Sequence, residues 1–399
     1  MTSMVAPAPS SLFAGLTRQP PDALLAVIGM HRADPRPHKI DVGVGMYRDE
    51  SGATPVMRAV KAAEERLLKH QDSKGYLGAE GDQRYTDLLA RLALGTKLAE
   101  SDRLTGVQTP GGTGALRLAA ELTARSGRAP TVWIGTPTWP NHVPIFLAAG
   151  LAVETHAYFD ADRSGVDMDG CLAALSRARA GDIVVLHGCC HNPTGARLTA
   201  EQWTALADLI AARGLVPLID LAYQGLGQGL DADAAGMRLL LNAVPEAMVA
   251  YSCDKNFALY RERVGALWIQ AATPSAVMPV RDALLMLARW IWSMPPDHGA
   301  AIVRTILEDD NLTQSWLTEL SDMRARIAAI RASLGEAHPV LAHIAQQEGL
   351  FALLPIDKTA VASLRDRHAI YMPDSGRINV AGLNSVSVKH FAEAVMPYL

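Results

Sequence analysis

A lysine and two groups able to bind phosphate lie close together in one segment of the chain. Ser252 stands three residues before Lys255, and Arg263 follows eight residues after it. A lysine amine can bond to an aldehyde cofactor if a hydroxyl and a guanidinium hold the phosphate of that cofactor in register. A surface lysine and arginine beside a strand end would produce the same short pattern. The segment therefore indicates pyridoxal phosphate only if the rest of the chain supplies the other contacts.

The ring nitrogen of such a cofactor needs a carboxylate beside it, because only a protonated ring withdraws electrons well. Residues 216–219 are predicted to form a buried strand, and Asp220 ends that run, at the strand end where α/β enzymes build their sites. Tyr223 and Asn192 are candidates for bonding the phenolic oxygen of the cofactor. The Asn-Pro-Thr-Gly segment that begins at Asn192 is also typical of a plain turn.

Two further segments could complete the site. Gly111-Gly112-Thr113-Gly114 precedes a predicted apolar helix at 115–123, and the free N–H groups of a helix amino terminus attract phosphate. The segment matches neither a Walker loop nor a good G-x-G-x-x-G pattern, which disfavours a nucleotide. Trp139 lies between two prolines and could present a flat face to a pyridine ring, although a core tryptophan would look the same.

Taken together, these motifs resemble the aspartate and aromatic-amino-acid aminotransferases, a subgroup of the fold-type I pyridoxal phosphate enzymes. The resemblance covers nearly the whole chain and includes the segments 40–50, 75–78, 295–299 and 375–382. It implies an α/β fold with a mostly parallel central sheet flanked by helices, and a second, smaller α/β domain. It also implies pyridoxal 5′-phosphate as the cofactor and a homodimer with shared active sites.

The resemblance implies a role for each matching residue. Lys255 would bond to the cofactor and, once freed by substrate, would move the proton at the substrate α-carbon. Asp220, with His142 behind it, would hold the proton of the ring nitrogen, while Tyr223 and Asn192 would bond the phenolic oxygen. Trp139 would stack on the ring, and the phosphate would be held by Gly112, Thr113, Ser252 and Arg263, with Tyr76 of the partner subunit.

Substrate binding would rest on two arginines. The resemblance implies that Arg377 binds the α-carboxylate in a bidentate fork, a task that lysine performs poorly, in a pocket lined by Gly45, Trp139 and Asn192. Arg289 of the partner subunit would recognise the distal carboxylate of aspartate, glutamate and their 2-oxo acids, and would swing aside for aromatic side chains.

The chain departs from the aspartate pattern beside Arg289. Trp290-Ile291-Trp292 stands where the family usually has polar residues, and Gly75 replaces an asparagine. An apolar pocket favours an aromatic ring by roughly 25 cal/mol per Å² buried. We therefore expect transamination of phenylalanine, tyrosine or tryptophan with 2-oxoglutarate to give an aromatic 2-oxo acid and L-glutamate, with aspartate also accepted.

Other interpretations stay open at this point. The chain could be an aspartate aminotransferase that prefers dicarboxylates, or it could catalyse another pyridoxal phosphate reaction such as a decarboxylation, because a fold does not determine its function. A non-catalytic sensor of the cofactor is a third possibility, but the chain has no spare length for an output domain.

Asp254 also departs from the family, and it could pair with Arg261 or alter the local electrostatics.

Composition excludes several classes of protein. The 399 residues carry 41 acids and 37 bases, a net charge of −4 without a basic tract, which argues against nucleic acid as a partner. Residues 1–11 do not resemble a signal peptide, and charges interrupt the longest apolar stretches, so we expect a cytoplasmic protein outside the membrane.

Four cysteines do not make a disulfide framework. His187, Cys189, Cys190 and His191 are too closely spaced for a usual zinc site, so no metal is expected.

Apolar runs alternate with helical patterns along the chain. Strands are predicted at 131–134, 183–186, 216–219, 248–251 and 264–269, with a helix at Ala200–Arg213. This alternation favours a mostly parallel sheet covered on both faces. A long helix at 313–334 would lead into the smaller domain, which a strand at 377–380 and a helix at 387–398 would complete. The predicted large cofactor-binding domain spans 54–315, and the small domain spans 1–53 and 316–399.

Overall fold

The computed structural model describes residues 12–18, 23–160 and 165–399. Its strands are β1 (Ile40–Asp41), β2 (Leu104–Pro110), β3 (Thr131–Thr136), β4 (Ala152–Ala157), β5 (Phe159–Asp160), β6 (Gly165–Val166), β7 (Ile183–His187), β8 (Val216–Leu221), β9 (Ala247–Ser252), β10 (Val264–Gln270), β11 (Phe351–Leu353), β12 (Ile370–Tyr371) and β13 (Arg377–Asn379).

The α-helices of the described ranges are α1 (Ala23–Ala33), α2 (Arg58–His70), α3 (Gln83–Leu94), α4 (Thr96–Ala99), α5 (Gly111–Ala124), α6 (His142–Ala148), α7 (Met168–Leu175), α8 (Ala200–Arg213), α9 (Leu230–Ala243), α10 (Pro274–Ile291), α11 (Asp297–Leu307), α12 (Asp310–Ala337), α13 (Lys358–His368) and α14 (Ser387–Val395). Short 3₁₀ helices cover Pro339–Gln346, Val380–Gly382 and Met396–Tyr398. Residues 1–11, where no signal peptide is expected, lie outside the described ranges.

Seven strands form the central sheet in the order β2-β10-β9-β8-β7-β3-β4. The strands from β9 across to β4 are all parallel to their neighbours, whereas β10 runs antiparallel to both β9 and β2. The expectation of a mostly parallel sheet is confirmed, and each of the five predicted strands is present. Two strands, β2 and β4, were not predicted, because β2 contains a glycine and ends in a proline, and β4 is a polar, largely exposed edge strand.

Both faces of the sheet are buried, as the continuous apolar strands require. Along β7, Ile183 and Val185 belong to one hydrophobic cluster, while Val184 and Leu186 belong to the cluster on the opposite face. Helix α5 contributes to the first cluster, and α8 and α9 contribute to the second. The sheet is therefore a rigid layer between helices, and its strand ends are held in fixed positions.

Local sequence explains where the helices beside the site begin and end. Thr199 and Gln202 form a reciprocal capping box at the start of α8, and Gly214 ends that helix in the left-handed conformation with φ of 64°. Helix α5 begins at Gly111, so the glycines that the sequence suggested as a turn before the helix in fact form its first turn. The backbone of that first turn is consequently available to a ligand.

Two small sheets outside the central one are formed by strands β1, β11, β12 and β13. Ile40 in β1 pairs in parallel with Ile370 in β12, and β11 pairs antiparallel with β13. Helix α12 is longer at both ends than the predicted segment 313–334. The domain boundaries at residues 54 and 315 stay a prediction. Within the ranges listed above, no helix is long and apolar enough to cross a membrane.

Candidate active site

A cavity of about 260 Å³ lies beside the carboxyl ends of β7, β8 and β9. Most of the residues that the sequence singled out surround it. The predicted site residues that line the cavity are Gly45, Gly112, Thr113, Trp139, Asn192, Asp220, Tyr223, Ser252, Lys255 and Arg263. Leu116, His187, Ala222, Asp254 and Tyr260 also line it and were not predicted as site residues. The fold thus brings together side chains from segments as far apart in sequence as Gly45 and Arg263.

Lys255 follows β9 directly and projects its amine into this cavity. Its Nζ lies 5.5 Å from the centre of the Tyr223 ring and 3.8 Å from Oδ2 of Asp254. Burial lowers the pKa of Lys255, and the charge of Asp254, followed by that of Asp220, partly offsets this effect. The amine therefore loses its proton more readily than a surface lysine, as a nucleophile or base must.

Asp220 lies in β8, one residue before the strand ends, and is anchored from behind by a histidine. His142 Nε2 and Asp220 Oδ2 share a hydrogen bond of 3.0 Å, and the Thr138 hydroxyl lies 2.7 Å from His142 Nδ1. Burial raises the pKa of Asp220, but the hydrogen bond and charge of His142 outweigh this effect, so the pKa lies below its usual value. Asp220 is consequently a buried carboxylate that stays ionised at neutral pH.

The hydrogen bond of Asp220 leads into a row of three histidines, of which the sequence placed only His142 at the site. The ring of His187 lies 5.1 Å from that of His142 and 4.2 Å from that of His191. Burial lowers the pKa of His187, and it lowers the pKa of His191 to about 3. His187 pairs with Asp220 across β7 and β8, and this register was the one signal that could have placed it at the site.

Tyr223 and Asn192 both line the cavity. Burial, followed by the charge of Asp220, raises the pKa of Tyr223, so the phenol keeps its proton and can donate it in a hydrogen bond. The side-chain oxygen of Asn192 is buried and has no hydrogen-bond partner in the described chain. A buried polar atom of this kind is costly unless a ligand satisfies it.

The amino terminus of α5 and the loop after β9 form a cradle at one end of the cavity. A Cβ atom on Gly112 would lie 3.1 Å from Cβ of Ser252, a tight contact, so the glycine helps the two segments to approach closely. Arg263 adopts a left-handed backbone with φ of 53° just before β10 begins. Backbone N–H groups, a hydroxyl and a guanidinium converge here, which is the donor set that a phosphate requires.

Asp254 is the unexpected member of this cradle. Its carboxylate is buried, and its Oδ2 accepts a hydrogen bond from Nη1 of Arg263. The structure therefore pairs Asp254 with Arg263 and not with Arg261, the partner that the sequence suggested. The second carboxylate oxygen, Oδ1, is buried and has no partner among the described residues.

Arg377 lies next to the cavity with its guanidinium over an aromatic ring. Its Cζ is 4.6 Å from the centre of the Phe351 ring, and its Nη2 donates to the Gly43 carbonyl at 2.8 Å. Its Nε is buried without a partner in the described ranges. A Cβ on Gly45 would lie 2.6 Å from Phe351, so glycine is required where this loop passes the ring. Sequence reasoning missed Phe351, because one apolar residue in a short strand carries no signal of its role.

His142 and Arg377 adjoin the cavity without lining it, whereas Tyr76 and Arg289, the other two predicted site residues that do not line it, are exposed on this single chain. Tyr76 is 96% exposed, and Arg289 is exposed with its Nη1 donating to the Ser293 hydroxyl at 2.6 Å. The segment that contains Tyr76 contacts the segment that follows Arg289, since the Leu77 nitrogen lies 3.1 Å from the sulfur of Met294. Both side chains are therefore presented outward, where a second subunit could receive them.

A family model described as aminotransferase class I and II matches residues 37–395. The chain belongs to the class I and II aminotransferases. The resemblance inferred from the motifs is confirmed.

Individual relatives of this aminotransferase agree with the family assignment. It is 52% identical to a tyrosine aminotransferase of Rhizobium meliloti over 96% of this chain and 98% of that protein. It is 41% identical to an aspartate aminotransferase of Escherichia coli over 97% of this chain and 100% of that protein. The structure of an aromatic-amino-acid aminotransferase from Burkholderia pseudomallei, covalently bound to pyridoxal phosphate, matches with a TM-score of 0.94 at 38% identity, over 98% of this chain and 100% of that one.

The cavity of the aminotransferase fits pyridoxal phosphate. Asn192 offers a buried oxygen that has no partner among the described residues, and the start of α5 approaches the loop after β9 closely at Gly112. The ionised Asp220 and the amine of Lys255 line the same cavity, so groups suited to a ring nitrogen, an aldehyde and a phosphate are all present.

A second cavity of the aminotransferase, about 410 Å³, lies on the far side of His187. Cys189, Cys190 and Asp233 place one ligand atom each within 4.8 Å of one another here. The Asp233 carboxylate accepts hydrogen bonds from three backbone N–H groups, those of Gly225, Gly227 and Gln228. Burial raises the pKa of the Cys190 thiol well above its usual value. The Asp233 carboxylate thus holds a loop, and the Cys190 thiol keeps its proton, so this cluster is poorly suited to bind a cation.

Proposed function

We propose that the protein transfers the amino group of an aromatic L-amino acid to 2-oxoglutarate, giving the aromatic 2-oxo acid and L-glutamate, and that it also accepts aspartate. The observation that carries the proposal is the convergence of Lys255, Asp220 and Arg377 around one cavity. An amine, a ring-nitrogen partner and a carboxylate clamp are the three protein groups that an aminotransferase needs. The names of the relatives, tyrosine, aromatic and aspartate aminotransferases, support the choice of substrates.

Pyridoxal phosphate, when bound, supplies an aldehyde for the amino group and a ring that withdraws electrons from the substrate α-carbon. The protein groups orient it. Asp220 would hold a proton on the ring nitrogen, and its own charge is maintained by His142. Tyr223 and Asn192 would hydrogen-bond the phenolic oxygen, and Trp139 would cover one face of the ring. The phosphate would lie in the cradle formed by Gly112, Thr113, Ser252 and Arg263.

Lys255 would carry the proton that transamination moves. Its amine would be linked to the cofactor aldehyde in the resting enzyme. Once substrate releases it, Nζ would take the proton from the substrate α-carbon and deliver it to the former aldehyde carbon of the cofactor, on the other side of the amino nitrogen. The pKa of Lys255, lowered by burial, favours the neutral amine that this step requires. Asp220 lines the same cavity and would keep the ring electron-poor while the proton moves.

Two arginines would divide the recognition of substrate. Arg377, held by the Gly43 carbonyl and the Phe351 ring, would bind the α-carboxylate that all substrates share. Arg289, with Trp290, Ile291 and Trp292 following it, would read the side chain from the second subunit. The tryptophans and the isoleucine offer apolar surface to an aromatic ring, while the guanidinium serves 2-oxoglutarate and aspartate.

We also infer a cytoplasmic homodimer with shared active sites. Tyr76, Leu77, Trp290 and Ile291 are large apolar side chains that one chain leaves exposed around the segments needed in trans. Exposed apolar groups in adjoining segments are typical of a subunit interface. The four cysteines of the chain are all unpaired, which is consistent with a reducing compartment.

The absorption spectrum of the purified protein with pyridoxal phosphate tests the proposal. We expect a visible band from the lysine-linked cofactor, and we expect phenylalanine and aspartate, added separately in a single turnover, each to remove it. A larger response to phenylalanine supports the aromatic assignment. A fast response to aspartate with none to phenylalanine would establish the alternative, a dicarboxylate-preferring aspartate aminotransferase, and absence of a band would contradict the proposal as a whole.

A further inference from the structure

The phosphate cradle contains a buried carboxylate as well as phosphate-binding groups. Asp254 is 4% exposed and lines the cavity together with Ser252, Thr113 and Arg263. Its Oδ2 is paired with Arg263 and lies 3.8 Å from Nζ of Lys255. Its backbone N–H donates to the Ser252 hydroxyl oxygen at 3.2 Å, which leaves the proton of that hydroxyl free for a ligand.

Within the cradle, the charges of two side chains therefore balance each other. The guanidinium of Arg263 is matched by the carboxylate of Asp254, and Oδ1 of that carboxylate is buried without a partner in the described chain. A phosphate monoester has a second pKa of about 6 and enters as a dianion at pH 8. Two buried anions side by side repel each other unless one of them takes up a proton, as in paired carboxylates.

We propose that Asp254 shares a proton with the phosphate of the bound cofactor, so that cofactor binding takes up one proton from solution. The unpartnered Oδ1 is the atom that would hold or receive this proton. The inference rests on the proposed function, because it requires the cradle to bind the phosphate of pyridoxal phosphate. Asp254 would then be a positioning residue. Its hydrogen bond to the phosphate requires a proton, so the affinity for the cofactor should decrease at high pH.

Other groups around Asp254 could also take up the proton and have to be separated from it. The titratable and charged groups that face Asp254 are Lys255, Arg263, Tyr260, Tyr85 and Cys253. Burial raises the pKa values of the two phenols and the thiol, so they are already protonated at pH 8. Arg263 is permanently charged. Among these five groups, the Lys255 amine is thus the one competitor that the experiment must remove. The proton that Asp220 would hold on the ring nitrogen is common to all the variants and cancels when their uptake is compared.

Isothermal titration calorimetry in buffers of different ionisation enthalpy counts the protons. The probe is pyridoxal phosphate, titrated into the K255A apoprotein, where the amine is absent. We expect uptake of about one proton per phosphate at pH 8 and an affinity that falls up to about tenfold per pH unit above this value. In the K255A/D254N protein we expect uptake to fall by about one proton and the affinity at pH 8 to rise about tenfold or more.

Two further variants keep the comparison interpretable. If K255A/D254N folds poorly, K255A/D254S takes its place, because it removes the same carboxylate with a smaller side chain. We expect the same loss of proton uptake and the same rise in affinity. K255A/E262Q removes a negative charge from the same loop but leaves Asp254 in place, and it should take up as many protons as K255A. Equal proton uptake with and without Asp254 would overturn the inference, as would uptake that is lost in K255A relative to the wild type. A protein that does not bind pyridoxal phosphate at all would overturn the proposed function itself.

Discussion

His142 and Asp220 share a hydrogen bond of 3.0 Å that is buried beneath the cavity. The histidine begins α6 and the carboxylate lies in β8, so the contact joins two elements that are 78 positions apart in sequence. The hydrogen bond lowers the pKa of Asp220 against the effect of burial, which raises it. Asp220 is thereby kept charged at a depth where an isolated carboxyl group would be protonated.

Removing either partner should affect catalysis in a different way. We expect Asp220→Asn to lower kcat by about 10²- to 10³-fold at every pH, the range seen when a preorganised charge partner is lost. His142→Leu should raise the pKa of Asp220 and move the acid limb of the kcat profile to higher pH, with near-normal activity on the alkaline side. Steady-state pH profiles check both. A His142→Leu loss that is equal at all pH values would contradict an electrostatic role for His142.

Lys255→Ala should abolish the visible band of the lysine-linked cofactor and lower turnover by at least about 10⁴-fold, because both the covalent link and the proton carrier are lost. Absorption spectra and initial rates measure the two effects. The exposed Lys61→Ala serves as the control and should leave both unchanged. A Lys255→Ala protein that transaminates at the original rate would refute the central assignment.

Substitution of Arg289 and of Arg377 should affect different sets of substrates. We expect Arg289→Leu to lower kcat/KM for aspartate and 2-oxoglutarate by about 100-fold, since a charge-assisted pair is lost, and to affect phenylalanine far less. Arg377→Lys should lower kcat/KM for all of them, because lysine does not form the bidentate fork. Half-reaction kinetics with each substrate provide the measurement. Equal losses for phenylalanine and aspartate in Arg289→Leu would exclude the proposed role of Arg289.

Complementation between two inactive chains tests whether sites are shared. A dimer made of one Lys255→Ala chain and one Arg289→Leu chain would have one doubly impaired site and one site with both native residues. Random mixing of the two proteins should therefore restore roughly one quarter of the wild-type rate with aspartate, because half of the dimers are hybrid. No recovery after mixing and re-association would show that Arg289 acts within its own chain.

The buried histidines should make the fold sensitive to acid. The pKa of His191 is lowered to about 3 and that of His187 is also lowered, both by burial, whereas an unfolded histidine has a pKa of about 6.5. Between these values the unfolded chain binds the extra protons, so stability is present above about pH 6.5 and falls with pH below it, by about 1.4 kcal/mol per pH unit for each histidine.

Urea unfolding between pH 7 and pH 4 measures this dependence. In His191→Asn the slope of unfolding free energy against pH should be smaller by about one proton. His70→Asn, which changes an exposed histidine at the end of α2, should retain the slope of the wild type. If His191→Asn also retains it, the acid sensitivity does not come from this buried histidine.

Much of the site was predictable because it depends on residues near each other in sequence. The spacing of Ser252, Lys255 and Arg263 along one loop indicated a phosphate-bearing aldehyde cofactor, and Asp220 at the end of an apolar run indicated a strand-end carboxylate. Apolar runs and helical periodicity likewise predicted the sheet, because hydrophobic patterning is a local property of the chain. The family and the sheet are thereby confirmed, while the roles of individual residues stay predictions.

Other features depend on which distant segments pack together, and only the tertiary structure decided them. Asp254 faces Arg263 instead of Arg261 because the loop after β9 folds back onto the start of β10. Phe351 supports Arg377 because β11 pairs with β13. His187 lies beside His142 because β7 pairs with β8, which places His187 opposite Asp220, the hydrogen-bond partner of His142. Sequence patterns record the burial and local conformation of each segment, whereas the choice of partner across the core arises from the packing of the whole chain.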